Sequence, residues 1–150
     1  MSESTIRTAN ISDLEQLAAL FDAYRQFYGQ ASDLALAKAF IADRLHRKDA
    51  VIFVAENSDK NLIGFCQVYP SFCSVIAAKI GVLYDLYVDS SKRKTGAGRA
   101  LMLVAHEYAA NNGLARLDLT TAKTNLAAQA LYESLGWVRD EVFYAYNKQI

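Results

Sequence analysis

The sequence predicts one mixed α/β domain over residues 1–150, with helices laid on a central, mostly antiparallel sheet. Three observations predict it. The hydrophobic period switches between 3.6 and 2 along the chain, marking helices and strands that alternate. Two strand-like runs flank the short polar turn Asn57-Ser58-Asp59-Lys60-Asn61 and read as an antiparallel hairpin. A basic, glycine-bearing turn, Arg93-Lys94-Thr95-Gly96-Ala97-Gly98, joins a strand to a helix that leads to another strand, which is a parallel β-α-β crossover.

Each element has its own justification. Thr5 to Ala9 is a short first strand. Ser12-Asp13-Leu14-Glu15 reads as a capping box, with a hydroxyl at the cap and a carboxylate three residues on. Leu14, Leu17, Ala18 and Phe21 continue as a helical stripe to Tyr24 and Tyr28, and Gly29 stops it. A second helix runs from Asp33 to about Arg47, with Leu36, Phe40, Ile41 and Leu45 expected to face inward. Strands follow over Ala50–Ala55 and Leu62–Tyr69; Pro70 is expected to end the second, leaving Ser71 to Lys79 as a loop. A strand over Ile80–Val88 leads through the glycine turn to a helix reaching about Asn112, with Leu101, Val104, Ala105 and Tyr108 at helical spacing and Gly113 closing it. The rest reads as a strand over Leu114–Thr121, a helix over Leu126–Leu135 and a last strand over Val142–Lys148. The expected order is β-α-α-β-β-β-α-β-α-β.

Composition bounds the function. More than half of the residues are hydrophobic and 21% are charged, which fits an ordered chain able to bury a core. Sixteen basic residues balance sixteen acidic ones, so there is no global field to draw nucleic acid, and the cluster Lys92, Arg93, Lys94 and Arg99 is a local feature. Cys66 and Cys73, with only His46 and His106 beside them, make no metal ligand set; no metal is expected, and both cysteines read as reduced thiols in a cytoplasmic protein. The opening residues lack the basic and apolar regions of a signal peptide, and no apolar run is long enough for a membrane span. His106 with Glu107 lacks the second histidine of a zinc protease and reads as a surface residue.

The glycine turn holds the chemistry. Unpaired N–H groups at a helix start, at the positive end of the helix dipole, bind phosphate, and glycines let the backbone come close to it. Neither a dinucleotide fingerprint nor a triphosphate loop is present, and the turn follows the fourth strand rather than the first. The strand Leu86-Tyr87-Val88 with Arg93-x-x-Gly96-x-Gly98, and the block Asn125-Leu126-Ala127-Ala128-Gln129-Ala130-Leu131-Tyr132-Glu133-Ser134-Leu135-Gly136-Trp137, together resemble the GNAT superfamily of acyl-CoA-dependent N-acetyltransferases over essentially the whole chain.

The resemblance implies acetyl-CoA as cosubstrate. Its pyrophosphate would lie on Arg93, Lys94, Thr95, Gly96, Ala97, Gly98 and Arg99, and its amide-rich arm along the backbone of Leu86, Tyr87 and Val88. One N–H of that strand would polarise the thioester carbonyl. Asn125 would meet the CoA arm, and Tyr132 the sulfur, as general acid; helix position alone favours Tyr132 as a tyrosine packing a helix on the sheet, and the matching Asn125, Leu131 and Gly136 reverse that preference.

A primary alkyl amine has a pKa of about 10 and arrives protonated, so a base must free its lone pair. Asp85 interrupts an apolar strand, and simple alternation puts it on one face with Leu83 and Tyr87. It is a general base, an anchor for the substrate cation or a carboxylate with a structural partner; Glu133 is an alternative on a helix surface. Tyr24, Phe27 and Tyr28 with Tyr69, Phe72 and Cys73 form either an aromatic surround for an ammonium group or plain core. The runs Arg25-Gln26-Phe27-Tyr28 and Gln67-Val68-Tyr69-Pro70-Ser71-Phe72 are similar to a subgroup that includes fungal histone/polyamine-type acetyltransferases, which implies small amines, polyamines or amino acids as acceptors. A protein N-acetyltransferase, a non-catalytic acyl-CoA-binding module and a nucleotide-binding protein are the competing readings. The apolar run Val142-Phe143-Tyr144-Ala145-Tyr146 would make a sticky sheet edge unless covered, so a homodimer is expected, with no nucleic acid or membrane partner.

Overall fold

The computed structural model describes residues 4–150, which fall into two compact units, one ending at Leu119 and the other covering 120–150. The first unit carries β1 (Thr5–Thr8), α1 (Leu14–Phe27), α2 (Leu34–Arg47), β2 (Val51–Glu56), β3 (Leu62–Cys73), β4 (Ala78–Val88), α3 (Ala97–Asn111) and β5 (Leu117–Asp118). Its sheet runs β1-β2-β3-β4-β5, antiparallel except for the parallel β4–β5 pair. The mixed α/β class and the single parallel crossover are as the sequence predicts.

The sheet is covered on both faces. Ile52, Val54 and Phe65 point to one face and pack with Leu17, Leu20 and Phe21 of α1 and Ala37 and Ile41 of α2. Phe53 and Cys66 point to the other, where Phe53 meets Tyr108 of α3 and the Cys66 thiol contacts the Leu101 carbonyl at 3.9 Å. Leu101, Met102 and Ala105 of α3 are buried. Two covered faces explain why β2 and β3 are nearly continuous apolar runs rather than alternating ones. At the N-terminal end Arg7 ties β1 to Asp13 (2.7 Å) and to Glu56 of β2 (2.8 Å).

Several local expectations change. The first helix is entered through a 3-10 turn, Ile11–Asp13, whose cap is Asn10 rather than Ser12. Asp13 answers the Asn10 N–H at 2.9 Å, and Glu15 pairs instead with Lys38 of α2. Asp33 caps α2, bonded by Leu36 N at 3.0 Å; the Leu36 side chain is exposed, while Ile41 is buried with Ala37, and Phe40 and Leu45 pack against the core as expected.

Pro70 does not end its strand. β3 runs on to Cys73 and turns through Ser74–Ala77 directly into β4. The register shows why. β2 stops opposite Val68, so beyond that point β3 is an edge on that side. Pro70 faces Gly81, whose N–H turns away to the Arg116 carbonyl (3.0 Å), so this is a non-hydrogen-bonded pair and the missing proline donor falls on the open edge.

β4 carries a bulge. Gln67 pairs with Asp85 and Val68 with Leu83, leaving Tyr84 without a cross-strand partner. The extra residue resets the alternation, so Leu83 shares the α3 face with Val68 and Cys66 while Asp85 and Tyr87 share the α1–α2 face with Gln67 and Phe65. The expectation that Leu83 and Asp85 lie on one face fails for this reason. A bulge bends its strand, and β5 pairs with β4 only at Gly81 and Val82, much less than the predicted Leu114–Thr121. Gly81 admits this close approach: a Cβ there would meet Leu117 Cδ2 at 2.8 Å and Val68 Cγ1 at 2.9 Å.

The second unit contains α4 (Leu126–Ser134), capped by Asn125, whose side-chain oxygen accepts from Ala128 N at 3.2 Å. The predicted strand over Val142–Lys148 is absent. Asp140 draws the N–H groups of Val142 and Phe143 to its own carboxylate (both 3.1 Å), a local arrangement that competes with ladder pairing. Val142, Phe143, Tyr144 and Tyr146 are exposed.

Candidate active site

Asp85 is the chemical centre of the first unit. It lies 4% exposed on the α1–α2 face of β4, placed there by the bulge at Tyr84. Its Oδ2 accepts a hydrogen bond from Gln67 Nε2 at 2.8 Å, and the same nitrogen donates to the Tyr69 hydroxyl at 3.0 Å. Tyr24 of α1 reaches in from above: its hydroxyl lies 3.4 Å from the Tyr84 carbonyl, near enough to Asp85 to favour its charged form. Burial raises the Asp85 carboxyl above the usual carboxylate range, opposed by the donors Gln67 and Tyr24. Burial, with the Asp85 charge beside them, raises the phenols of Tyr24 and Tyr69 in turn.

Further aromatic rings pack around Tyr24 and Tyr69, the two phenols beside the carboxylate. Tyr24 stands edge-on to Tyr28 (5.1 Å), Phe65 (5.7 Å) and Tyr87 (6.0 Å), and Tyr69 lies beside Tyr84 at 5.6 Å. Phe27 and Tyr28 are half exposed at the rim. One cation already uses part of this surface: the Arg93 guanidinium lies 5.4 Å from the Phe27 ring and 5.6 Å from Tyr87, with Nε donating to the Val88 carbonyl at 3.1 Å. Phe72 does not join the group. With β3 extended through Pro70, alternation sends it to the opposite face from Tyr69, and it is exposed. The loop joining α1 to α2 is anchored by Asp22, which accepts from Asp33 N (2.8 Å), Ser32 Oγ (2.7 Å) and Gln26 Nε2 (3.1 Å).

Among the described residues, no strand pairs with the outer edge of β4 beyond Val82. Asp89 N bonds the Ile63 carbonyl of β3 at 2.8 Å, so alternate residues Leu86 and Val88 turn their backbone groups outward, and Tyr87 turns its own toward β3. The chain then passes through the 3-10 turn Ser90–Lys92 into Arg93–Gly96. Lys94 (φ 64°) and Gly96 (φ 85°) adopt left-handed backbone, and Thr95 Oγ1 closes onto the Lys92 carbonyl at 2.8 Å. Gly96 caps α3 with no side chain to answer its first N–H groups; the first intrahelical bond is made by Ala100 N to Gly96 O. A strand edge leading to such a helix start fits an extended, amide-bearing ligand that ends in phosphate.

In the second unit, Tyr132 is half-buried with its ring 6.3 Å from Trp137, and its carbonyl accepts from Leu135 N and Trp137 N (both 3.0 Å). The cap occupies the Asn125 side-chain oxygen, so its amide NH2 is the group that can address a ligand.

Gln67 is the residue sequence reasoning passed over. The signal was available: one amide in the apolar run Ile63–Val68. The bulge at Tyr84 had no comparable signal, because it exists only in the pairing of two strands. Among the described residues no cluster of His, Cys, Asp and Glu is arranged to hold a metal ion, and no helix is long and apolar enough to cross a membrane.

A buried carboxylate beside two phenols, a strand edge and a glycine-led helix start are features that suit a transferase of the acyl-CoA-dependent class. Residues 15–137 match the acetyltransferase (GNAT) family, and the chain belongs to that family. It is an acetyl-CoA-dependent N-acetyltransferase. It is 44% identical over 141 residues to the uncharacterized N-acetyltransferase YhfO of Bacillus subtilis (strain 168), covering 94% of each chain. A crystal structure of a probable acetyltransferase superposes with a TM-score of 0.91 at 35% identity, covering 97% of both chains. An aminoglycoside N-acetyltransferase AAC(6')-Iy in complex with CoA shares the fold, with a TM-score of 0.83 at 20% identity over 100% of this chain and 97% of that one.

Proposed function

We propose that this enzyme acetylates a primary amine of a small molecule, such as a polyamine or an amino acid, by direct attack within a ternary complex. The observation that carries the reading is the buried Asp85 carboxylate among Tyr24, Tyr28 and Tyr69. A single buried negative charge beside aromatic rings selects a compact cation over a neutral or anionic acceptor.

The bound acetyl-CoA supplies a thioester whose C–S bond breaks as the C–N bond forms. The chain's residues manage charge and protons around that exchange. Asp85 holds the ammonium group and takes one proton from it, passing it on to solvent. A backbone N–H at Leu86 or Val88 stabilises the negative oxygen that develops. Tyr132 gives its phenolic proton to the departing thiolate and regains one from the amine nitrogen. Arg93, Lys94, Thr95, Gly96, Ala97, Gly98 and Arg99 hold the pyrophosphate, and Asn125 the arm. Tyr24, Phe27, Tyr28 and Tyr69 shape the acceptor pocket. No acyl-enzyme is required: Cys66 is fully buried on the α3 face, and burial pushes its thiol up to about 12.

The 150 residues act as one cytoplasmic domain and associate as a homodimer that covers the apolar stretch Val142–Tyr146. A thiol-release assay with acetyl-CoA against polyamines, amino acids and peptide amines tests the acceptor class. Turnover with small amines and none with peptides is the expected outcome; preference for a peptide N-terminus would move the enzyme to the protein-acetylating class.

A further inference from the structure

The geometry points to Gln67 as a positioning residue for acetyl transfer: its side-chain amide holds Oδ2 of Asp85 and keeps that group a carboxylate, ready to receive an ammonium ion. The inference rests on the reading of Asp85 as the group that takes the amine's proton.

Gln67 is 0% exposed in the centre of β3, directly opposite Asp85 across the bulge. A primary amide has two N–H donors, and Nε2 directs one to Asp85 (2.8 Å) and the other to Tyr69 (3.0 Å). Its Oε1 is buried without a partner. A buried, unanswered carbonyl is unfavourable, and an apolar side chain of the same length would avoid it. The opposite amide orientation is worse while Asp85 is ionised. It would set a carbonyl against a carboxylate and strand two N–H donors in place of one acceptor. The amide is therefore committed to donating, and a donor stabilises the charged form of its acceptor. It does so where burial works in the opposite direction.

The second bond has a separate consequence. By donating to the Tyr69 oxygen as well, Gln67 leaves the Tyr69 O–H hydrogen to point elsewhere and fixes the spacing between the phenol and the carboxylate. The titratable groups facing Asp85 are Tyr24 from α1 and Tyr69 from β3, with Cys66 behind it on the α3 face and Arg44 of α2 and Asp49 acting on Tyr69 from beyond. None of these is a cation in contact with Asp85, so Gln67 and Tyr24 are the donors that favour its ionised form.

The test is the pH profile of kcat/KM for the amine, with acetyl-CoA affinity as the control. Gln67→Met keeps the bulk and removes the donor; its acidic limb should move to higher pH by about one unit, with a loss of about tenfold at pH values below the shifted limb and little above it. Acetyl-CoA affinity should be unchanged. Gln67→Asn, gentler on the fold, keeps an amide that cannot reach and should shift the limb in the same direction. A uniform loss with the limb in place, in whichever variant folds, overturns the proposal. Asp85→Asn run in parallel separates the two ideas. If it abolishes the limb while the Gln67 variants leave it unmoved, only the role of Gln67 falls. If it leaves the limb in place, Asp85 is not the titrating group and both fall.

Discussion

At Asp85, two opposing influences meet on one side chain. Burial favours the neutral acid; the donors Gln67 and Tyr24 favour the carboxylate. The balance leaves its pKa raised, so the proton-accepting form is lost as pH falls through that raised value. Native activity should therefore show an acidic limb above the normal carboxylate range. In Asp85→Asn the limb disappears and the rate depends on free amine in solution, rising about tenfold per pH unit up to an amine pKa of about 10. The deficit against native enzyme should shrink steadily in alkali, as pH-dependent kcat/KM would record. A constant deficit would make Asp85 an anchor for the cation rather than a base. Tyr132→Phe removes only a hydroxyl; we expect turnover to fall about 10²-fold while acetyl-CoA affinity, measured by calorimetry, stays the same.

At the scale of elements, one strand does most to position the chemistry. The bulge turns Asp85 toward α1 and α2 instead of continuing the alternation, and β5 leaves β4 after Val82, so no described strand pairs with the edge at Leu86 and Val88. The same strand delivers the chain to Gly96, whose left-handed φ of 85° sets the first turn of α3. Nothing lies within 4 Å of a Cβ added there, so crowding is not the reason for glycine; the backbone angle is. Gly96→Val should therefore disturb the loop with a strain of about 1–3 kcal/mol, weakening acetyl-CoA binding while amine specificity is preserved. Equal losses for both substrates would show that the strain spreads beyond the turn.

At the scale of the whole molecule, the candidate residues fall in two compact units. The glycine turn and Asp85 belong to the unit that ends at Leu119, and the Asn125–Trp137 block to residues 120–150. The stretch expected to form a last strand instead exposes Val142, Phe143, Tyr144 and Tyr146. Apolar side chains in such a row are unfavourable in water and invite a second copy. Sedimentation equilibrium should return twice the monomer mass, and replacing Phe143 and Tyr144 by serine should return the monomer. A monomer from the native chain would remove the dimer from the proposal.

Most elements were legible in the chain because local physics fixes them. The stripe Leu17–Phe21, the start of the second helix at Asp33, the polar turn at Asn57–Asn61 and the glycine before α3 are each set by neighbours in sequence. So were the ingredients of the candidate site: a carboxylate inside an apolar strand and a basic glycine turn are visible without coordinates. Tertiary structure decided what depends on pairing between distant segments. Pro70 is tolerated because β2 ends opposite Val68, which no local pattern around the proline encodes. Leu83 and Asp85 part to opposite faces because Tyr84 has no partner in β3. Gln67 becomes a donor to Asp85 because the register sets two residues eighteen apart against each other, 2.8 Å between nitrogen and oxygen. Sequence periodicity sees spacing along one strand; register, bulges and the company of a buried charge are properties of two or more strands together.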